Sequence, residues 1–297
     1  MEHTLSRKQF DVLTFLEKSN KKMNQSDIAN AIGMSLESVA CTLDTLAEKK
    51  YIRDCSVTEL GYATLEPYRV KRAVFLAAGF GSRLVPVTLN TPKPLVRVCG
   101  TRMIDTLLDA VIAVGIEEIY VVRGYLAEQF DQLLDKYPMI RFIENVAYNE
   151  ANNISSAMCA RHLFKNAYVM EADLILYNPD VISKYQYVSN CLGVPVEITD
   201  DWCFETENGI ITKMKIGGTN CHHVYGIYYW NAEDGAKLYK DFQRIYELPD
   251  GRNRYWDLVP LEYCKEHYHV EVRNCSFTDI IEIDSYSELK QVDSTYC

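Results

Sequence analysis

Residues 72 to 76, Arg72-Ala73-Val74-Phe75-Leu76, run without a polar break into the small-residue stretch Ala77-Ala78-Gly79-Phe80-Gly81-Ser82-Arg83. A half-exposed strand would alternate polar and apolar side chains, so this run predicts a strand covered on both faces at the centre of a parallel sheet. Gly79 and Gly81 let the chain turn sharply at its carboxyl end and present backbone N–H groups to an anion. Arg83 and Lys93 add two full positive charges: a guanidinium forks onto oxygens, and an ammonium acts as a point charge. The turn is therefore expected to cradle a nucleoside triphosphate, with Leu76, Ala78, Gly79, Phe80, Gly81 and Ser82 binding the nucleotide and Arg83 and Lys93 acting in catalysis. Neither G-x-G-x-x-G nor G-K-[ST] is present, which disfavours a hydride-transfer enzyme or an ATPase.

From residue 71 onward the pattern alternates. Strands are expected at 72–77, 118–122, 140–143 and 167–171, with helices at about 103–114, 126–136 and 153–163. Sheets wound this way place ligands outside the carboxyl ends of their strands, so the turn after residue 77 and the carboxylate of Asp173 are expected to share one crevice. Near the C-terminus, Ile280-Ile281-Glu282-Ile283-Asp284 reads as a strand with Glu282 and Asp284 on one face.

The segments Leu76-Ala77-Ala78-Gly79-Phe80-Gly81-Ser82-Arg83-Leu84 and Pro92-Lys93-Pro94-Leu95 resemble, at every fixed position, the signature of nucleotidyltransferases that join a nucleoside monophosphate to a phosphorylated sugar or alcohol. The resemblance implies an α/β, Rossmann-like domain with a mostly parallel sheet. It also implies Mg²⁺ held by Asp173 and Asp284 with help from Glu282, and a base and ribose site bordered by Gly124, Tyr125 and Ser155. Mg²⁺ prefers oxygen ligands and borrows phosphate oxygens, so two carboxylates suffice.

Within that superfamily the chain is most similar to the Lic-type choline-phosphate cytidylyltransferases, through residues 124–130, Tyr255-Trp256-Asp257 and the stretch 282–289. The similarity implies CTP and phosphocholine as substrates. A physical argument points the same way: a quaternary ammonium cannot donate a hydrogen bond, so a selective site uses aromatic faces. Trp202, Tyr255, Trp256 and Asp257 are the expected acceptor-binding residues, with packing as the competing role for each aromatic. The alternatives are an ethanolamine or aminoethylphosphonate acceptor, whose ammonium also suits an aromatic and acidic pocket, a sugar-1-phosphate acceptor with UTP or dTTP, and a metabolite-sensing transcriptional regulator without turnover.

Residues 1–68 have a different rhythm and are expected to form a separate module before a catalytic domain of residues 69–297. Helices at about 5–18, 24–32 and 36–49 and a hairpin over 51–63 resemble a winged helix-turn-helix module. Over residues 1–66, eight Lys/Arg face ten Asp/Glu. Duplex affinity comes largely from phosphate neutralisation, so DNA binding competes here with dimerisation or packing. The net charge of −10 argues against general nucleic-acid affinity. The ten cysteines are scattered without a C-x-x-C pair and are expected to be reduced and mostly buried. Residues 1–4 lack the basic-then-apolar layout of a signal peptide, and no apolar run is long enough to span a bilayer, so a cytoplasmic location without membrane contact is expected.

Overall fold

In the computed structural model, which describes residues 5–19 and 23–297, the apolar strand Arg72–Leu76 is central in a seven-stranded sheet. Residues 1–4, on which the signal-peptide reading rests, lie outside the described residues. The chain divides into two units: one runs to Arg69 and includes Tyr185–Tyr187, and the other comprises Val70–Lys184 and Val188–Cys297.

The first unit contains helices α1 (Arg7–Lys18), α2 (Gln25–Ile32) and α3 (Leu36–Glu48), the two-stranded antiparallel ribbon β1 (Ile52–Arg53) and β2 (Ser56–Val57), and helix α4 (Glu59–Leu65). Ser6, Asn24, Ser35 and Thr58 cap these helices by accepting a backbone N–H, as short polar side chains do. The expected hairpin over 51–63 is thus only half right. Thr58 caps a new helix, and the chain does not return as a long strand. Phe10, Leu13, Val39 and Leu46 fill this unit's core, where Tyr187 stacks on Tyr68 at 5.5 Å.

In the second unit the remaining elements are β3 (Arg72–Leu76), β4 (Arg97–Val98), β5 (Thr101–Arg102), α5 (Met103–Ala113), β6 (Glu118–Arg123), β7 (Ile140–Glu144), α6 (Ile154–Ala160), β8 (Ala167–Glu171), β9 (Leu174–Leu176), β10 (Asn190–Glu207), β11 (Ile210–Trp230), α7 (Ala232–Tyr246), β12 (Glu271–Asn274), β13 (Ile280–Glu282) and α8 (Tyr286–Val292). The large sheet has the order β10-β12-β11-β8-β3-β6-β7. β3 runs parallel to β6 and β8, and β6 parallel to β7, while the long hairpin β10–β11 adds antiparallel pairs. Register places Leu76 beside both Val122 and Glu171, so three strands end at one level.

Two apolar layers cover the faces of this sheet. Phe75, Leu107, Val121 and Phe130 belong to one, and Val74, Ala157, Phe164 and Trp256 to the other. The helix expected at 126–136 is instead a 3₁₀ segment, Ala127–Leu133, entered through Leu126 at φ +47°. The strand expected to reach Asp284 stops at Glu282 and pairs with β9, leaving Asp284 in the approach to α8. None of the ten cysteines is in a disulfide, and four are buried, fewer than expected. Among the described residues no helix is long and apolar enough to cross a membrane.

Candidate active site

A cavity of about 850 Å³ opens at the carboxyl ends of β3, β6 and β8 and is lined by the turn 76–83, Lys93, Ser155, Asp173, Glu282 and Asp284. The turn has its expected shape. Gly81 adopts φ +61°, and a Cβ there would lie 2.8 Å from Cβ of Lys93, so a side chain would both strain the backbone and push the lysine away. Arg83 is largely exposed and donates to Asp284 at 2.8 Å. The hydroxyl of Thr88 donates to the Gly81 carbonyl at 2.8 Å.

Lys93 is buried, and its ammonium joins two distant parts of the chain: Nζ lies 2.7 Å from Asp173 Oδ2 and 2.9 Å from Asp284 Oδ1. Burial alone would lower the lysine's pKa, but Asp173 and Asp284 outweigh it and hold the pKa above its ordinary value. Burial would likewise raise Asp284, yet Lys93 and then Arg83 hold it below the usual carboxylate range. The acidic side chain of Glu288 accepts from the backbone N–H groups of Asp284 and Ser285, a capping box that fixes where Asp284 points.

One acid was not anticipated. Glu171, the last residue of β8, joins Asp173 and Glu282 in a group whose oxygens lie within 4.8 Å of one another. Its signal was available, since residues two apart at a strand end point the same way. Gly226 makes room for it: a Cβ at that position would fall 2.5 Å from the Glu171 carboxylate. Burial, then repulsion from Asp173 and Asp257, pushes Glu171 up to about 8. Burial, then Asp173, Glu171 and Asp284, push Glu282 well above its ordinary value. Asp173 Oδ1 is buried and has no hydrogen-bond partner among the described residues. Lys93 and Arg83 are thus matched to Asp173 and Asp284, while Glu171 and Glu282 are held toward their neutral forms beside an unpartnered Asp173 oxygen.

Two of the residues expected around the base and ribose, Tyr125 and Ser155, have partners within the protein. Tyr125 donates from its backbone N–H to Ala78, and shares its hydroxyl proton between the carbonyls of Thr88 (2.9 Å) and Leu89 (3.2 Å). Ser155 is buried, accepts from the Asn145 amide at 2.9 Å and donates to the Asn152 carbonyl. Of the three residues expected around the base and ribose, Ser155 lines the cavity with its hydroxyl already engaged, whereas Gly124 and Tyr125 lie outside the lining, Gly124 packed under Tyr148.

On the opposite wall, Trp202 and Tyr255 meet edge to face at 5.7 Å, beside Asp201 and Asp257. Asp257 is buried and pushed up to about 6 by that burial, against the Tyr228 hydroxyl that donates to it. Trp256 does not join them. It is fully buried, packing at 4.7 Å edge to face on Tyr228 and against Phe164 in the sheet-covering layer. The chain bends at Trp256 and turns at Asp257 into the helical segment that follows, with Tyr255 reaching the cavity and Trp256 the core. The expected three-ring set is a pair.

Comparison with known proteins identifies the family. Residues 72–190 match the nucleotidyl transferase family. The chain is 33% identical over 228 residues to 2-aminoethylphosphonate cytidylyltransferase of Lancefieldella rimae, covering 75% of this chain and 92% of the relative. It is 30% identical over 231 residues to choline-phosphate cytidylyltransferase of Streptococcus pneumoniae, covering 75% of this chain and 96% of the relative. Among solved structures, the CTP:phosphocholine cytidylyltransferase of Streptococcus pneumoniae superposes with a TM-score of 0.70 at 28% identity, covering 77% of this chain and all of that one.

Proposed function

We propose, from the premise that this chain belongs to the nucleotidyl transferase family with cytidylyltransferases as its near relatives, that it transfers a cytidylyl group from CTP to phosphocholine, giving CDP-choline and pyrophosphate. The observation that carries the reading is the convergence of the glycine turn, Lys93, Asp173 and Asp284 on one cavity.

A phosphate oxygen of the acceptor attacks the α-phosphorus of CTP in line with the departing pyrophosphate. The phosphate is already nucleophilic at neutral pH, so positioning and charge stabilisation supply the rate. Backbone N–H groups of residues 78–82 and the Arg83 guanidinium hold the β- and γ-phosphates. Lys93, kept charged and oriented by two carboxylates, faces the α-phosphate, where negative charge accumulates. The unpartnered Asp173 oxygen and the adjoining Glu171 and Glu282 suit a hard divalent cation such as Mg²⁺, with Asp284 at the edge of the set. Bound there, that ion would supply charge neutralisation between the two phosphates. Trp202 and Tyr255 offer aromatic surface to the choline head group, and Asp201 and Asp257 a negative field around it.

A second reading has its own support. The 33% identity to an aminoethylphosphonate enzyme, and a pocket with two rings but several acids, favour an acceptor whose primary ammonium donates hydrogen bonds to carboxylates. Pyrophosphate release with CTP, UTP or dTTP against phosphocholine, phosphoethanolamine, 2-aminoethylphosphonate and glucose-1-phosphate separates these readings. CTP with phosphocholine is expected to give the highest kcat/KM. A higher value for the phosphonate moves the acceptor, and no release with any pair removes the transferase. For the first unit we propose the winged-helix resemblance without duplex recognition: α3 carries Glu37, Asp44 and Glu48 and no basic residue.

A further inference from the structure

Tyr125 touches the glycine turn at its beginning, tip and return. Its N–H donates to Ala78, its ring meets Phe80 at 5.1 Å, and its hydroxyl bonds the carbonyls of Thr88 and Leu89. Thr88, almost fully buried, passes the connection on through its hydroxyl to the carbonyl of Gly81, the residue with φ +61° that sits against Lys93. Gln129 adds a bond from its amide to the Asn90 carbonyl at 2.8 Å. The return segment 85–90 has no regular structure beyond one short 3₁₀ turn, so these side-chain bonds are what define its path. A hydroxyl already shared between two carbonyls has no proton left to read a base edge.

We propose that Tyr125 and Thr88 are positioning residues, a two-link brace that holds the phosphate turn in its binding shape and sets triphosphate affinity without touching the nucleotide. Tyr125 directly follows Gly124 at the end of β6, so the brace ties the turn to the sheet rather than to the base. The left-handed Gly81 and the Lys93 side chain behind it keep their geometry because the Gly81 carbonyl is pinned by Thr88. This inference rests on residues 78–83 being the triphosphate turn.

The test compares calorimetric binding of CTP and of CMP to the full-length wild type, Tyr125→Phe, Thr88→Val and Thr88→Ser, together with KM, kcat and the CTP-to-UTP preference. Loss of one neutral hydrogen bond in the brace is expected to weaken CTP by about threefold to tenfold. CMP, with no β- or γ-phosphate, should lose less than about twofold, the CTP-to-UTP preference should stay unchanged, and Thr88→Ser should behave as wild type. The brace is overturned if CTP and CMP weaken equally, if base preference changes, or if both brace variants bind CTP as wild type does. A thermal melt accompanies each variant, and Tyr125→Phe, which retains the ring, carries the test should Thr88→Val fail to fold. A wild-type protein that binds no CTP would overturn the nucleotide reading itself, and the brace with it.

Discussion

Replacing Lys93 by Met keeps the length and apolar bulk of the side chain and removes one charge, so the consequences follow from the two contacts at 2.7 and 2.9 Å. Both partner carboxylates are about a quarter exposed (23% and 24%), which puts each charge-assisted bond at the low end of its range, about 1.5 kcal/mol, or about 3 kcal/mol together. For a unit of this size, with roughly 2–4 °C per kcal/mol, the expected loss in Tm is about 6–12 °C. Turnover at saturating substrates should fall by about 10²–10³, the usual effect of removing one preorganised charge from a phosphoryl-type transition state.

The stability deficit of this variant should depend on pH in a definite direction. The folded-state pKa of Lys93 lies above 10.5, so its own contribution is complete below that value and is lost only as pH rises through the folded pKa. Asp284, held below 3.8, contributes above that value and loses its contribution as pH falls through its folded pKa. Glu171 is raised to about 8, so it progressively opposes folding as pH climbs toward that value, and Lys93 is what restrains it. The gap between wild type and variant should therefore widen from pH 5 to 9. Melting by circular dichroism across that range, with pyrophosphate release at pH 7.5, measures both effects. A kcat within about threefold of wild type, or a gap that narrows with rising pH, would refute the reasoning.

Trp202, which lines the cavity, and Trp256, which is buried in the core, should behave differently. Trp202→Ala is expected to raise KM for phosphocholine about 2- to 30-fold, the span of a lost cation–π contact, with KM for CTP unchanged. Trp256→Ala should cost about 3–5 kcal/mol of stability, as expected for an aromatic deleted from a core, and should show no selective effect on the acceptor. The purified protein should give no sequence-selective shift of duplex DNA at physiological salt; a footprint on any defined sequence would return the first unit to a regulatory role.

The central strand and its turn were legible because burial on both faces and the demand for positive φ each leave a local mark: an apolar run in one case, a glycine in the other. The 3₁₀ segment Ala127–Leu133 was not legible. Phe130 and Leu133 have helical spacing, but Leu126 enters in the left-handed region to let Tyr125 return to the turn, and that tertiary requirement overrides propensity. The same kind of override placed Asp284 beyond its strand, where a cap on α8 rather than alternation aims it.

At the site itself, the positions of charge could be read but their balance could not. Lys93, Asp173, Glu282 and Asp284 each stood at the end of a recognisable segment, whereas Glu171 matters because Gly226, fifty-five residues away, vacates the space it fills. Trp256 shows the converse. Its neighbours Tyr255 and Asp257 line the cavity while it closes the core, because the chain bends there on its way into a helical segment, and no local pattern announces that bend. Glu171 and Glu282 are costly to bury, since desolvation and the neighbouring carboxylates both push them up. Lys93 and Arg83 are both engaged with Asp284, and Lys93 with Asp173 as well, so the site's two cations hold these aspartates charged while Glu171 and Glu282 are left raised.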